Sequence, residues 1–341
     1  MKTDKPITIV LGEPNSVFIE ILSKVLNKRY IKKKYPIILI GSNELIKSQL
    51  KKLKKKLNYE IIDINNFNFE KLRKKIYLID ISYNFRKAFE KISFKSHKYI
   101  SNSFTKGLKL VNNKVSNILI NGPISKKHFL KNKYPGITEY VFDKSKKNIS
   151  KKPVMLIYNS KFSVSPLTTH LPLKRVNKKI NQNLIINSVN QINNFYKFKL
   201  KKKPKIAILG LNPHCETSSK INEEELIIKP AIKTWKKNNI NISGPYPADT
   251  FFLKKNISYF DSVVGMYHDQ VLTPFKTIFG FNAANITLGM SFLRLSVDHG
   301  PNEKMIGKNK SNTESLEKIF NFIDSIRWKL LQKNLWDKIF Y

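Results

Sequence analysis

Short apolar runs closed by glycine or proline alternate along the chain with longer stretches of helical spacing. Ile7 to Leu11 stops at Gly12-Glu13-Pro14, and Val17, Phe18, Ile19, Leu22, Val25 and Leu26 then follow at helical intervals. The pattern predicts strand, loop and helix. It returns at Pro36 to Ile40, where Gly41-Ser42 precedes a lysine-studded amphipathic stretch from Leu45 to Leu57, and at Ile118 to Ile120 before Asn121-Gly122-Pro123. Val154 to Tyr158 and Phe162 to Val164 read as a hairpin across Asn159-Ser160, Asn177 to Tyr196 as a helix, and Lys205 to Leu209 as a buried strand. Asn222-Glu223-Glu224-Glu225 has the form of an N-cap with acids in the first turn. Ser311-Asn312-Thr313-Glu314 reads as a capping box that opens an amphipathic C-terminal helix toward Trp328 and Trp336. Lys144 to Lys152 is a basic, loop-like linker, and Gly244 to Thr250 fits no regular element. Strands alternating with helices predict an α/β fold built on a largely parallel sheet.

One stretch is richer in polar chemistry than the rest. From Gly265 to Gly300 an apolar run, Val263 to Tyr267, breaks into His268-Asp269-Gln270, and Lys276, Asn285, Arg294 and Asp298-His299 follow in what reads as a loop-rich segment. Open α/β sheets place their ligands at the carboxyl ends of such strands.

Composition narrows the choice of function. A chain of 341 residues with 41% hydrophobic content has enough apolar material for two lobes. Its 63 basic residues face only 24 acidic ones, a net charge of +39. The excess is nearly all lysine, spread along the chain, with arginine confined to positions 29, 73, 86, 175, 294 and 327. Nucleic-acid readers lean on arginine forks and clustered basic stripes, so this is read as lysine on solvated faces, with no specific nucleic-acid partner. Attraction to anionic substrates follows regardless. The single cysteine, Cys215, excludes an internal disulfide and fits a reducing compartment. No apolar run approaches the roughly 18 residues of a membrane span, and the N-terminus enters a strand almost at once. A cytoplasmic protein without membrane contact is expected.

Of six histidines, His170, His214 and His268 each stand at the end of an apolar strand. Singly, each reads more readily as a hydrogen-bonded structural histidine than as a ligand. If their strands run parallel in one sheet, however, the imidazoles lie on one edge, and three neutral histidines with open positions make a catalytic divalent-metal site. His97 and His128 lack such settings and read as surface residues, while His299 stays ambiguous. A lysine and an arginine near a metal, with an amide between them, suit a substrate bearing phosphate or carboxylate, which singles out Lys276, Asn285 and Arg294.

Five motifs, in order, cover nearly the whole chain: Thr168-Thr169-His170-Leu171-Pro172-Leu173, Gly210-Leu211-Asn212-Pro213-His214, Gly244 to Thr250, Met266-Tyr267-His268-Asp269-Gln270, and Asn285 through Arg294 to Gly300. Together they resemble the 4-hydroxythreonine-4-phosphate dehydrogenase family, which makes a precursor of pyridoxal phosphate. The resemblance implies a two-domain α/β/α fold like isocitrate and isopropylmalate dehydrogenases, with the site in the interdomain cleft. On that reading residues 1–125 and 290–341 form a discontinuous first domain, and 126–289 the second, with the metal histidines. The resemblance further implies a homodimer with a shared active site and a divalent metal (zinc, magnesium or cobalt) on His170, His214 and His268. Substrate contacts fall on Thr138, Lys276, Asn285 and Arg294. NAD, or NADP, would take a hydride from the carbon bearing the 3-hydroxyl of 4-phosphohydroxy-L-threonine. The product, 2-amino-3-oxo-4-(phosphooxy)butanoate, would decarboxylate to 3-amino-2-oxopropyl phosphate. Asp249 and Lys126 are the candidates for proton transfer, and the sequence does not decide between them.

The chain departs from the family pattern at several positions. Gly136-Ile137-Thr138-Glu139 replaces the usual Gly-His-Thr-Glu, Asn15-Ser16-Val17-Phe18 replaces a glycine-rich turn, Cys215 to Ser219 replaces a glycine-rich stretch, and Ser125 stands where a histidine is common. Glycines that let backbone approach a ligand are not exchanged freely. These changes keep two alternatives open: a dehydrogenase for another phosphorylated hydroxy acid, such as 4-phosphoerythronate or threonate 4-phosphate, or a non-catalytic ligand-binding paralogue.

Overall fold

A computed structural model of the chain describes residues 5–28, 34–131, 133–145, 152–217, 221–236 and 240–339, and on the last helix the side chains up to Arg327. Most of the linker candidate and Ser218-Ser219 lie outside the described residues, as do the side chains of Trp328 and Trp336. The chain divides into two compact units, Met1–Asn148 with Met290–Tyr341, and Ile149–Gly289.

In chain order the first unit contributes strands β1 (Ile7–Val10), β2 (Ile37–Gly41), β3 (Glu60–Ile61), β4 (Ile76–Asp80) and β5 (Ile118–Asn121). The second holds β6 (Val154–Tyr158), β7 (Ser163–Thr168), β8 (Ile206–Leu209), β9 (Ile242–Tyr246), β10 (Ser262–Tyr267) and β11 (Ala284–Leu288). The chain then returns to the first unit as β12 (Leu293–Ser296).

The first unit's strands pair in the order β3-β4-β2-β1-β5-β12, all parallel. Ile7, Ile9, Ile38 and Ile40 are fully buried, as expected of parallel strands covered on both faces. The helix Phe18–Leu26 starts where the repeat of apolar positions predicts. The helix Asn43–Lys52 begins earlier than its apolar pattern because Ser42 caps it, accepting a hydrogen bond from the Leu45 amide, and it ends before Lys54 at φ 52°. Residues 126–148 belong to this unit rather than to the second. Phe129, Leu130, Tyr140 and Val141 pack into its core with Phe104 and Tyr99, so burial draws that boundary later in the chain. His97 and His128 are half-buried rather than surface residues, against the rings of Phe129 and Phe94. The C-terminal helix, Glu314–Ile339, buries Leu316, Ile319, Phe320 and Ile323 at helical spacing. Its start is not the Ser311–Glu314 box: Asn312 accepts from the Glu314 amide, and the Thr313 hydroxyl donates to Glu317 at 2.7 Å.

The second unit's strands run β11-β6-β7-β10-β8-β9, with β6 antiparallel to both neighbours and the other pairs parallel. The hairpin of β6 and β7 is the one the sequence predicts. Its first long helix, Gln182–Phe195, starts five residues after Asn177, because Asn181 supplies the cap by accepting from the Leu184 amide. Two expectations fail here. Gly244 to Thr250 is regular: it finishes β9 and opens a short helix, Ala248–Phe251, with Gly244 at φ +135° where a Cβ would stand 2.4 Å from the Ile208 carbonyl oxygen. The segment after Tyr267 is not loop-rich but a helix, His268–Phe279, whose Val271, Leu272 and Phe275 pack into the core with Phe162, Phe251 and Val263. Pro274 lies inside that helix and masks it in the sequence.

Candidate active site

β10 runs parallel between β7 and β8, so the carboxyl ends of all three lie on one edge of the second unit's sheet. His170 follows β7 by two residues, His214 follows β8 at the end of a five-residue turn, and His268 is the first residue of the helix after β10. Two polar side chains lock these ends. Gln270 accepts from the Met266 amide at 2.7 Å and donates to the Gly210 carbonyl at 2.7 Å, joining the ends of β10 and β8. Thr168 donates to the Met266 carbonyl at 2.7 Å, joining β7 to β10. The turn carrying His214 is held by buried Glu224, whose carboxylate accepts from the amides of Leu211 and Asn212 at 2.7 and 2.9 Å and from the Asn212 side chain at 2.8 Å. Burial alone would push the Glu224 carboxyl up, but these hydrogen bonds outweigh it and hold its pKa below the ordinary value. The local sequence does not reveal the roles of Gln270 and Glu224. Glu224 reads there only as a helix-start acid.

The imidazoles do not all converge within one chain. The rings of His170 and His268 lie 5.9 Å apart between centroids. His214, on a backbone at φ 55°, stands with its Nε2 3.4 Å from Asp249. His268 pairs its Nδ1 with Asp269 at 2.7 Å, which leaves Nε2 as the nitrogen available to a metal, the usual arrangement for a ligating histidine. Among the described residues no group of three or more His, Cys, Asp or Glu side chains is gathered closely enough to hold a metal ion. The donor chemistry of the edge nonetheless fits a divalent cation, since it offers two neighbouring imidazoles and a third beside a carboxylate.

The anion-binding candidates divide between the units. Lys276 sits in the last turn of the His268–Phe279 helix, its ammonium 5.5 Å from the Phe281 ring. Asn285, on β11, has a buried side-chain oxygen with no hydrogen-bond partner among the described residues, the kind of atom a polar ligand satisfies. In the first unit Arg294, fully buried on β12, donates from Nε to Asn121 at 2.9 Å and from Nη1 to Thr138 at 3.0 Å. Burial lowers its pKa to about 10, against the pull of Glu139. Lys126 is exposed at the start of a single helical turn, Lys126–Leu130, in that same unit, whereas Asp249 is beside His214 in the other. Asn121, which the sequence marks only as a strand end, is thus a partner of Arg294.

Residues 32–322 match the family described as "Pyridoxal phosphate biosynthetic protein PdxA". The chain belongs to the PdxA family. A 4-hydroxythreonine-4-phosphate dehydrogenase of Sulfurihydrogenibium sp. is 37% identical over 317 residues, spanning 91% of this chain and 94% of the relative. The Aquifex aeolicus enzyme of that name is 30% identical over 96% of this chain and the whole of its own length. The crystal structure of the Klebsiella pneumoniae 4-hydroxythreonine-4-phosphate dehydrogenase superposes with a TM-score of 0.80, covering 95% of this chain and all of that one at 24% identity. PdxA membership makes the chain an oxidoreductase on a two-domain α/β fold. Among the described residues, no helix is long and apolar enough to cross a membrane.

Proposed function

We propose that the chain oxidises 4-phosphohydroxy-L-threonine with NAD or NADP to 2-amino-3-oxo-4-(phosphooxy)butanoate, which then decarboxylates to 3-amino-2-oxopropyl phosphate. The observation that carries this reading is the shared edge of β7, β10 and β8, with a histidine beyond each end and cross-strand bonds from Gln270 and Thr168 tying the ends together. His170, His214 and His268 would hold a divalent cation, whether zinc, magnesium or cobalt, and that cation would supply positive charge that favours loss of the hydroxyl proton. A homodimer with a shared active site completes the set. The pairing of His170 with His268 and the separate placement of His214 beside Asp249 are compatible with ligands drawn from two subunits.

Thr138, Lys276, Asn285 and Arg294 hold the phosphate and the amino-acid end of the substrate. The buried Arg294 is oriented by Asn121, and a guanidinium so fixed suits bidentate capture of an anion. Asp249 and Lys126 are the two proton-transfer candidates, and the Asp249 carboxylate lies 3.4 Å from His214 Nε2. Ile137, where the family pattern carries histidine, is the first residue of the helix Ile137–Lys144 behind the N-cap Gly136, and its apolar side chain packs against the first unit's core. That leaves the second reading, a related phosphorylated hydroxy acid as substrate, in play. The deciding experiment supplies purified protein with divalent metal, each candidate substrate and NAD or NADP, and follows reduced nicotinamide at 340 nm. No reduction with 4-phosphohydroxythreonine, but reduction with 4-phosphoerythronate or threonate 4-phosphate, would overturn the substrate assignment. No reduction with any of them would overturn the enzyme assignment.

A further inference from the structure

The first unit holds a cavity of roughly 590 Å³ between the segment that follows β4 and the start of the helix His97–Asn112. It lies at the carboxyl ends of β4 and β2, since the buried Tyr99 in its wall accepts a hydrogen bond from the Ser42 amide just after β2. In a parallel sheet this is the edge where ligands are bound, and the volume falls within the range of small-molecule sites. The walls have two characters. One is aromatic: Tyr83 and Phe85 stack with centroids 6.3 Å apart at 15°, and Tyr99 lies 5.0 Å from Tyr83. The other is cationic, formed by Arg86, Lys95 and Lys98, all solvent-exposed.

A carboxylate, Glu90, also lines this wall and holds part of it in shape. Glu90 accepts from the backbone amides of Arg86 and Lys87 at 2.6 and 3.2 Å, which fixes the turn that carries Arg86. The Glu90 amide in turn donates to the Asn15 side chain at 2.9 Å, so the turn is anchored to the loop after β1. Flat aromatic surface beside several cations is the chemistry that receives a heteroaromatic base joined to phosphates. The sequence also lacks any Gly-x-Gly pair, so it has no glycine-rich turn of the kind that cradles a dinucleotide's pyrophosphate on backbone amides. Side-chain cations are another means of holding phosphates.

We propose that this cavity binds the adenosine diphosphate half of the nicotinamide cofactor, with the base against Tyr83 and Phe85 and the phosphates on Arg86, Lys95 and Lys98. The assignment rests on the dehydrogenase reading for the identity of the ligand, and on the cavity alone for its place. The test measures NADH binding by fluorescence and ADP-ribose binding by calorimetry, on wild type and on Arg86→Glu and Lys98→Glu. Both substitutions are at exposed positions, and circular dichroism checks that the fold is kept. Each charge reversal is expected to weaken both ligands tenfold or more, and Tyr83→Ala to weaken ADP-ribose while leaving inorganic phosphate binding unchanged. Unaltered NADH affinity in the charge-reversed variants would overturn the cavity assignment and leave the dehydrogenase reading standing. Inorganic phosphate competing as well as ADP-ribose, or no uptake of either nucleotide by the wild type, would overturn it too. ADP-ribose binding that depends on these residues in a protein that reduces no cofactor would instead uphold the cavity and sink the enzyme.

Discussion

Glu13, just beyond β1, is 2% exposed, and its carboxyl is raised by burial from the ordinary 4.5 to about 7, against hydrogen bonds from the Asn15 amide and the Ser96 hydroxyl. The folded chain therefore binds this proton more tightly than the unfolded chain. Stability linked to Glu13 is fully present below about pH 4.5 and is lost as pH rises through about 7. Holding the proton over that interval corresponds to about 3 kcal/mol. Glu13→Gln keeps the shape of the protonated acid and cannot ionise. Urea unfolding of wild type and variant at a series of pH values from 4.5 to 8.5 should give similar stabilities at the acid end. The variant should gain on the wild type through the interval, reaching about 3 kcal/mol at pH 8 and then holding level. A difference that is constant across the series, or one that narrows as pH rises, would refute the assignment of a buried, proton-holding carboxyl.

Four further outcomes test other parts of the structure. Gln270→Ala should lower stability by about 1–3 kcal/mol in urea unfolding, because the Met266 amide and Gly210 carbonyl lose their partner, and an unchanged midpoint would show that the two strand ends do not depend on it. Gly244→Ala should be destabilised by about 2 kcal/mol or more in thermal unfolding, since its φ of +135° and a Cβ 2.4 Å from the Ile208 carbonyl oxygen leave no relaxed position. His268→Ala and His214→Ala should each lose bound divalent metal, measured by elemental mass spectrometry on dialysed protein, with circular dichroism unchanged; full metal stoichiometry in both variants would remove those residues from the site. Phe104→Ala, in the middle of the first unit's core, should cost about 3–5 kcal/mol of stability in the same urea assay, and a loss under 1 kcal/mol would mean that the cavity collapses.

The amino-acid sequence alone determined the α/β class, most strands and the three strand-end histidines, because each rests on local periodicity broken by glycine, proline or asparagine. Other features needed the tertiary structure. The helix His268–Phe279 looks like a loop in sequence because Pro274 and a mixture of polar residues hide its apolar face, and the surrounding core of Phe162, Phe251 and Val263 decides the matter. Arg294 stood out by its rarity, yet its partners Asn121 and Thr138 lie 173 and 156 positions away, a pairing that strand order creates and no local pattern encodes. Likewise Gln270 becomes the clasp between two strand ends only once β10 lies beside β8. Periodicity fixes which face of an element is buried, whereas the identity of the neighbour it meets depends on which distant strands pair. Local sequence therefore revealed the strand-end histidines, and tertiary pairing decided what holds them in place.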